Sequence, residues 1–171
     1  MGDNSNIIRT TLLSFLKNAK TVMKENNNVL FPAFMSITSG KLSDPVPLTF
    51  SNDVEKLKTF FAIGAYCGEQ KYDAVILGLM GCSRILDENN IAYYLKNLET
   101  ERPTLYPQSL KNNYIVLQYV DFFNCEENEM LLCRFDVKEN DADYFIPRFY
   151  GAVDSLLVSM VFDGWDSVQR N

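Results

Sequence analysis

Histidine is absent from this 171-residue chain. Ser-His-Asp and Cys-His catalysis, histidine zinc sites and imidazole proton shuttles all need that side chain, so these classes are excluded within the chain. Cations are scarce as well: 16 Lys and Arg stand against 22 Asp and Glu, for a net charge of -6 and a pI near 4.7. Duplex nucleic acid and anionic membrane surfaces are both bound through clustered Lys and Arg, so neither is an expected partner. The four cysteines, Cys67, Cys82, Cys125 and Cys133, form no C-x-x-C pair. That spacing removes the zinc-knuckle and thioredoxin-like readings and leaves small hydrophobes in a reducing, cytoplasmic setting.

Long apolar runs are missing too. The longest, Ala74 to Cys82 and Leu156 to Phe162, are too short to span a bilayer. Ile7 to Met23 is interrupted by Arg9, Lys17 and Lys20, which is unlike a signal peptide, and Asn6 stands where a myristoylation pattern needs Ser or Thr. No G-x-x-x-x-G-K-[ST] phosphate loop and no calcium-loop pattern occurs.

What is present is a globular composition, 47% hydrophobic and 22% charged, with no internal repeat and no low-complexity linker. Residues 1–171 are therefore expected to form a single domain. Ile8, Leu12, Phe15, Leu16, Ala19, Val22 and Met23 recur at helical spacing and predict a first helix, which the run Asn26-Asn27-Asn28 stops. Val29 to Thr38 and Pro45 to Phe50 read as a hairpin near a sheet edge, because Pro32, Pro45 and Pro47 lack ladder donors. Asn52 and Glu55 have capping-box spacing ahead of Val54, Leu57, Phe61 and Ala65, with Phe60, Ile63 and Cys67 widening the apolar face of a second helix.

Tyr72 to Cys82 has the near-continuous apolarity of a central strand, and Gly78 and Gly81 within it suggest a bulge or a close approach. Residues 85–110 carry a weaker pattern, with a short helix permitted by Ile91, Tyr94, Leu95 and Leu98. Tyr114 to Phe123 and Glu129 to Val137 predict an antiparallel pair, followed by an edge piece over Asp143 to Phe149. Val153, Leu156, Leu157, Met160, Val161, Trp165 and Val168 close the chain as a helix weakened at Gly164.

The expected fold is thus α+β, a mainly antiparallel sheet of about five strands with flanking helices in the order α-β-β-α-β-β-β-α. That order resembles the roadblock and profilin-like folds. Separately, Leu30 to Thr38, Asp73 to Ile85, the Arg102-Pro103 and Tyr106-Pro107 pairs and Tyr114 to Phe123 resemble a set of uncharacterised bacterial and prophage-associated proteins. That resemblance spans residues 30–148 and implies no activity or catalytic residue.

Three constellations bear on chemistry. Acids gather at Asp121, Glu126, Glu127 and Glu129, and again at Asp136, Glu139, Asp141 and Asp143, where they either hold a hard cation or solvate turns. Cys82-Ser83-Arg84 sets a thiol beside a cation, but no base accompanies it. Aromatics accompany Arg102 and Arg148 in segments expected near the surface, a combination common at protein interfaces.

The sequence therefore predicts no catalytic residue, cofactor or metal ligand. It favours a non-enzymatic protein-interaction module, with a homodimer as its expected form, working through an exposed sheet edge or an aromatic patch. Arg102, Tyr106, Tyr94, Arg148 and Phe149 are its candidate partner-binding residues. The alternatives are a small-molecule sensor with an aromatic pocket and a carboxylate-dependent, metal-assisted hydrolase.

Overall fold

The computed structural model describes residues 2–84, 111–138, 141–151 and 155–170. The first apolar stripe winds as α1 (Gly2–Glu25), burying Ile8, Leu12, Leu16, Ala19 and Met23. Asn27 and Asn28 then take positive φ, 53° and 62°, which asparagine tolerates better than other side chains do, and the Asn28 N–H closes the helix on the Met23 carbonyl. β1 (Ala33–Thr38) turns back through Ser39 and Gly40 into the short β2 (Lys41–Leu42). Both turn residues have positive φ, 49° and 74°, as a two-residue hairpin loop requires. β3 (Val46–Pro47) pairs with the start of β1.

Asn52 caps α2 (Asp53–Gln70), its Oδ1 accepting the Glu55 N–H at 2.9 Å. The Glu55 carboxylate reaches back to the Ser51 N–H and hydroxyl, and these bonds hold it below the usual carboxylate range. The capping residues foreseen are therefore in place, with the reciprocal bond falling one residue earlier than usual. Asn52→Ala should lower the unfolding free energy by about 1 kcal/mol in a urea titration.

The remaining strands and α-helix of the described residues are β4 (Ala74–Arg84), β5 (Lys111–Asp121), β6 (Glu129–Lys138), β7 (Asp141–Tyr144), β8 (Arg148–Gly151) and α3 (Leu156–Gln169). All strand pairs are antiparallel, in the order β2-β1-β4-β5-β6-β7, with β3 also on β1 and β8 also on β6. Strand alternation sends Ile76, Ile115, Leu117, Leu131, Cys133 and Phe135 toward α1. Val75, Leu77, Leu79 and Val120 face α2 and α3 on the other side. The result is a sheet between one helix and a helix pair.

The α+β class and the mainly antiparallel sheet agree with the sequence reading, and four details are corrected. Among the described residues the sheet has eight strands rather than about five. The extra β2 is two residues long and too short to leave a periodic pattern, whereas β3 falls within the strand read over Pro45 to Phe50. Helix two buries Phe60, Ile63 and Cys67, as read, together with Gly64 and Gly68, whereas Val54 and Phe61 of the expected stripe are exposed.

The reason for that rotation is glycine. A Cβ on Gly64 would lie 1.8 Å from the Val161 carbonyl oxygen, and one on Gly164 would lie 1.9 Å from that of Phe61. The two helices touch backbone to backbone, so Gly164 is the contact point of α3 and does not interrupt it. In β4 the register with β5 runs unbroken from Ala74 to Arg84, so Gly78 marks no bulge; it admits the Phe15 ring from α1. Glu129, buried at one end of β6, accepts bonds from Arg9 Nε and Ser5 Oγ and so fixes the start of α1 to the sheet. Among the described residues no helix is long and apolar enough to cross a membrane.

Candidate functional site

The site arises from one extra residue in the outer strand. Along β7 the partners of β6 are regular: Asp136 faces Asp143, Phe135 faces Tyr144, and the Phe145 N–H donates to the Arg134 carbonyl at 3.0 Å. Pairing resumes with Leu132 opposite Arg148. Ile146 and Pro147 together therefore oppose the single residue Cys133, which is a β-bulge. Proline suits this position because it has no N–H to leave unpaired. The Cys133 thiol donates to the Phe145 carbonyl at 3.1 Å and ties the bulge to its neighbour.

A bulge inverts the alternation that follows it. In an unbroken strand Phe145 and Phe149 would share one face, with Arg148 and Tyr150 on the other. Here Arg148 and Tyr150 join Phe145, and Phe149 turns to the α1 side. The shared face then carries three cross-strand rows: Tyr114, Arg134 and Phe145; Val116, Leu132 and Arg148; Gln118, Met130 and Tyr150.

Between these rows lies a groove of about 440 Å³ lined by Tyr114, Leu132, Arg134, Arg148 and Tyr150, with Phe145 and Ile146 at its outer wall. Ile146 is 88% exposed, and Phe145 and Tyr150 are each more than 40% exposed. The Arg134 guanidinium lies 4.9 Å from the centre of the Phe145 ring and 3.7 Å from an Asp136 oxygen. Beside Met130, Gln118 is buried, and its amide donates to the Ser155 hydroxyl that caps α3.

A smaller cavity of about 290 Å³ lies between the start of α1 and the β1–β2 hairpin. It brings Asp73, Asp121 and Glu127 around Tyr119, against a wall that includes Ile7, Ile37 and Leu42. The Tyr119 hydroxyl donates to Asp121 at 3.1 Å, and burial followed by the surrounding carboxylates pushes its pKa upward. Both aspartates also shape turns: Asp121 accepts the N–H groups of Phe123 and Asn124, and Asp73 accepts that of Ser39.

The other acids disperse. Glu129 binds Arg9, Asp136 lies near Arg134, Asp143 lies near Lys138, and Glu139 falls outside the described residues. Among the described residues no three of His, Cys, Asp and Glu are grouped to hold a metal ion. A third hollow, on the α1 side of the bulge, carries Lys17, Lys20 and Lys24 with Tyr144, and the Lys20 Nζ lies 4.9 Å from the Tyr144 ring centre.

Of the five residues read as partner-binding, Arg148 lines the groove. Phe149 lies half-buried on the opposite face, where the Arg9 guanidinium sits 5.2 Å from its ring centre. Arg102, Tyr106 and Tyr94 lie outside the described residues, as do the side chains of Cys82, Ser83 and Arg84. Sequence reasoning missed Tyr114, Arg134 and Ile146. The available signal was Pro147 inside an edge strand, which marks a bulge and hence a change of face. No protein family, curated protein or solved structure matches this chain.

Proposed function

We propose that this chain is a protein-interaction module whose working surface is the groove beside the Ile146–Pro147 bulge. The observation that carries the reading is the bulge itself, because it turns Arg148 and Tyr150 onto the face that already holds Tyr114, Arg134 and Phe145, beside an isoleucine that is 88% exposed. A single exposed aliphatic is ordinary on a protein surface, whereas a contiguous patch of Ile, Phe and Tyr flanked by Arg has the composition of an interface core. Aromatic and arginine side chains also dominate binding energy when they are desolvated together.

The sheet edges support the patch over strand addition. β2 and β3 are two residues long, and Pro47 removes a donor from β3. β7 carries Asp141 and Asp143 and ends at the bulge. Short, charged and proline-bearing edges are features that discourage pairing with another strand.

The test is site-specific photo-crosslinking in cells, with the photoreactive residue placed at position 146 or at Val54. Val54 is comparably accessible, 62% exposed, and lies on α2. Protein adducts are expected from position 146 and not from position 54. Equal adduct formation at both positions, or none at 146, would remove the reading.

A further inference from the structure

The face that holds the groove also holds its own electrostatic complement. Along β6 and its outer neighbours the rows run from Leu132 and Arg148, through Arg134 and Phe145, to Asp136 and Asp143, and then to Lys138 and Asp141. Two arginine-bearing rows are therefore followed, on the same face, by two aspartate-bearing rows. A two-fold interface brings one patch against itself, so it needs this kind of self-complementarity. A patch with cations alone would repel its copy.

Resting on the interaction reading above, we propose that the occupant of this surface is a second copy of the chain, related by a two-fold axis that crosses the strands between the Arg134 and Asp136 rows. Such an axis reverses the order of the rows. It sets Arg134 against the partner subunit's Asp136 and Arg148 against the partner subunit's Asp141, twice over by symmetry. By the same reversal each Phe145 ring lies beside the axis, across from the partner subunit's Asp143, with Ile146 next to it, so the most exposed apolar side chains of the patch leave water at the seam. An acidic partner protein would satisfy Arg148 but would place its own charge beside Asp141, while Asp136 and Asp143 already lie within 4 Å of Arg134 and Lys138 in the same chain. A second copy satisfies both signs, which is why the observations favour it.

The pairing is tested by charge exchange, reading mass by light scattering over a range of concentrations. The wild-type chain is expected to form a dimer of twice 19.6 kDa. Arg148→Asp and Asp141→Arg should each raise the dimer dissociation constant by at least about tenfold, because each places like charges together. Mixing the two variants in equal amounts should restore a mixed dimer, since both cross-contacts then join opposite charges. Restoration also shows that both variants are folded.

A wild-type chain that stays monomeric at about 100 μM, well above the range of a specific dimer, would overturn the proposal. So would a dimer that neither substitution weakens, or a monomer that binds anionic vesicles through these residues. If the chain is monomeric while position 146 still crosslinks to a different protein, the second copy is wrong and the interaction surface stands. If position 146 yields no specific adduct and the chain is monomeric, both readings fall.

Discussion

Gly64→Ala is expected to lower the unfolding free energy by about 3 kcal/mol or more, and Gly164→Ala by a similar amount, in urea titrations of the purified chain. An alanine in a helix interior is ordinarily the better residue by about 1 kcal/mol, so intrinsic propensity predicts the opposite sign. Geometry decides the matter. The added methyl groups would lie 1.8 Å from the Val161 oxygen and 1.9 Å from the Phe61 oxygen, and those atoms are backbone, which cannot rotate away. The helices must separate, and separation opens the layer in which Phe60, Ile63 and Cys67 meet Val158 and Val161. Once one substitution has forced them apart the second costs less, so the double variant should be milder than the sum of the singles. Gly151 is the control: nothing lies within 4 Å of its position and its backbone is unstrained, so Gly151→Ala should stay within about 0.5 kcal/mol of the parent. A Gly64→Ala variant as benign as Gly151→Ala would show that the helices do not cross at these glycines.

That pair of glycines also shows where hydrophobic periodicity loses its grip. The first helix is legible because Ile8, Leu12, Leu16, Ala19 and Met23 bury large side chains at helical spacing, and each contributes to the pattern. In α2 and α3 the surfaces that meet are centred on residues with no side chain. A scale that scores side chains therefore centres the stripe on Val54, Leu57, Phe61 and Ala65, with Phe60, Ile63 and Cys67 only widening it, and gives Gly64 no weight. The central strand was legible for the opposite reason, since burial on both faces makes Ala74 to Leu79 a continuous apolar run. The candidate surface was only partly so. Arg148 is named by its aromatic neighbours in sequence, whereas Tyr114 and Arg134 reach the same groove through the register of β5 on β6, a long-range fact that no local window contains. Phe149 and Arg148 exchange faces because of the extra residue at Ile146–Pro147, and alternation read without that residue assigns both to the wrong side.

Alkaline pH should unfold this chain more steeply than its carboxylate content suggests, and Cys67 should be a principal cause. Burial against α3 pushes its thiol up to about 12. An exposed cysteine ionises near about 8.5. Between those values the unfolded chain releases a proton that the folded chain retains, so the unfolded state gains and stability falls as pH rises. The contribution is fully present below the unfolded value and is lost through the folded one. Its slope is about 1.4 kcal/mol per pH unit, and across the window the loss is on the order of 5 kcal/mol, a large part of a typical domain's total. Cys133, Tyr119 and Tyr144 are displaced upward too, in each case chiefly by burial, and add losses of the same sign. Cys67→Ala isolates one share. At pH 7 the variant should be somewhat less stable, because a buried sulfur is gone, but its decline above about pH 9 should be shallower by the equivalent of one proton. Urea titrations at intervals from neutral pH to pH 11 measure both slopes. Parallel curves for parent and variant would mean that the Cys67 thiol ionises alike in the folded and unfolded chains, and that α2 does not seal it against α3.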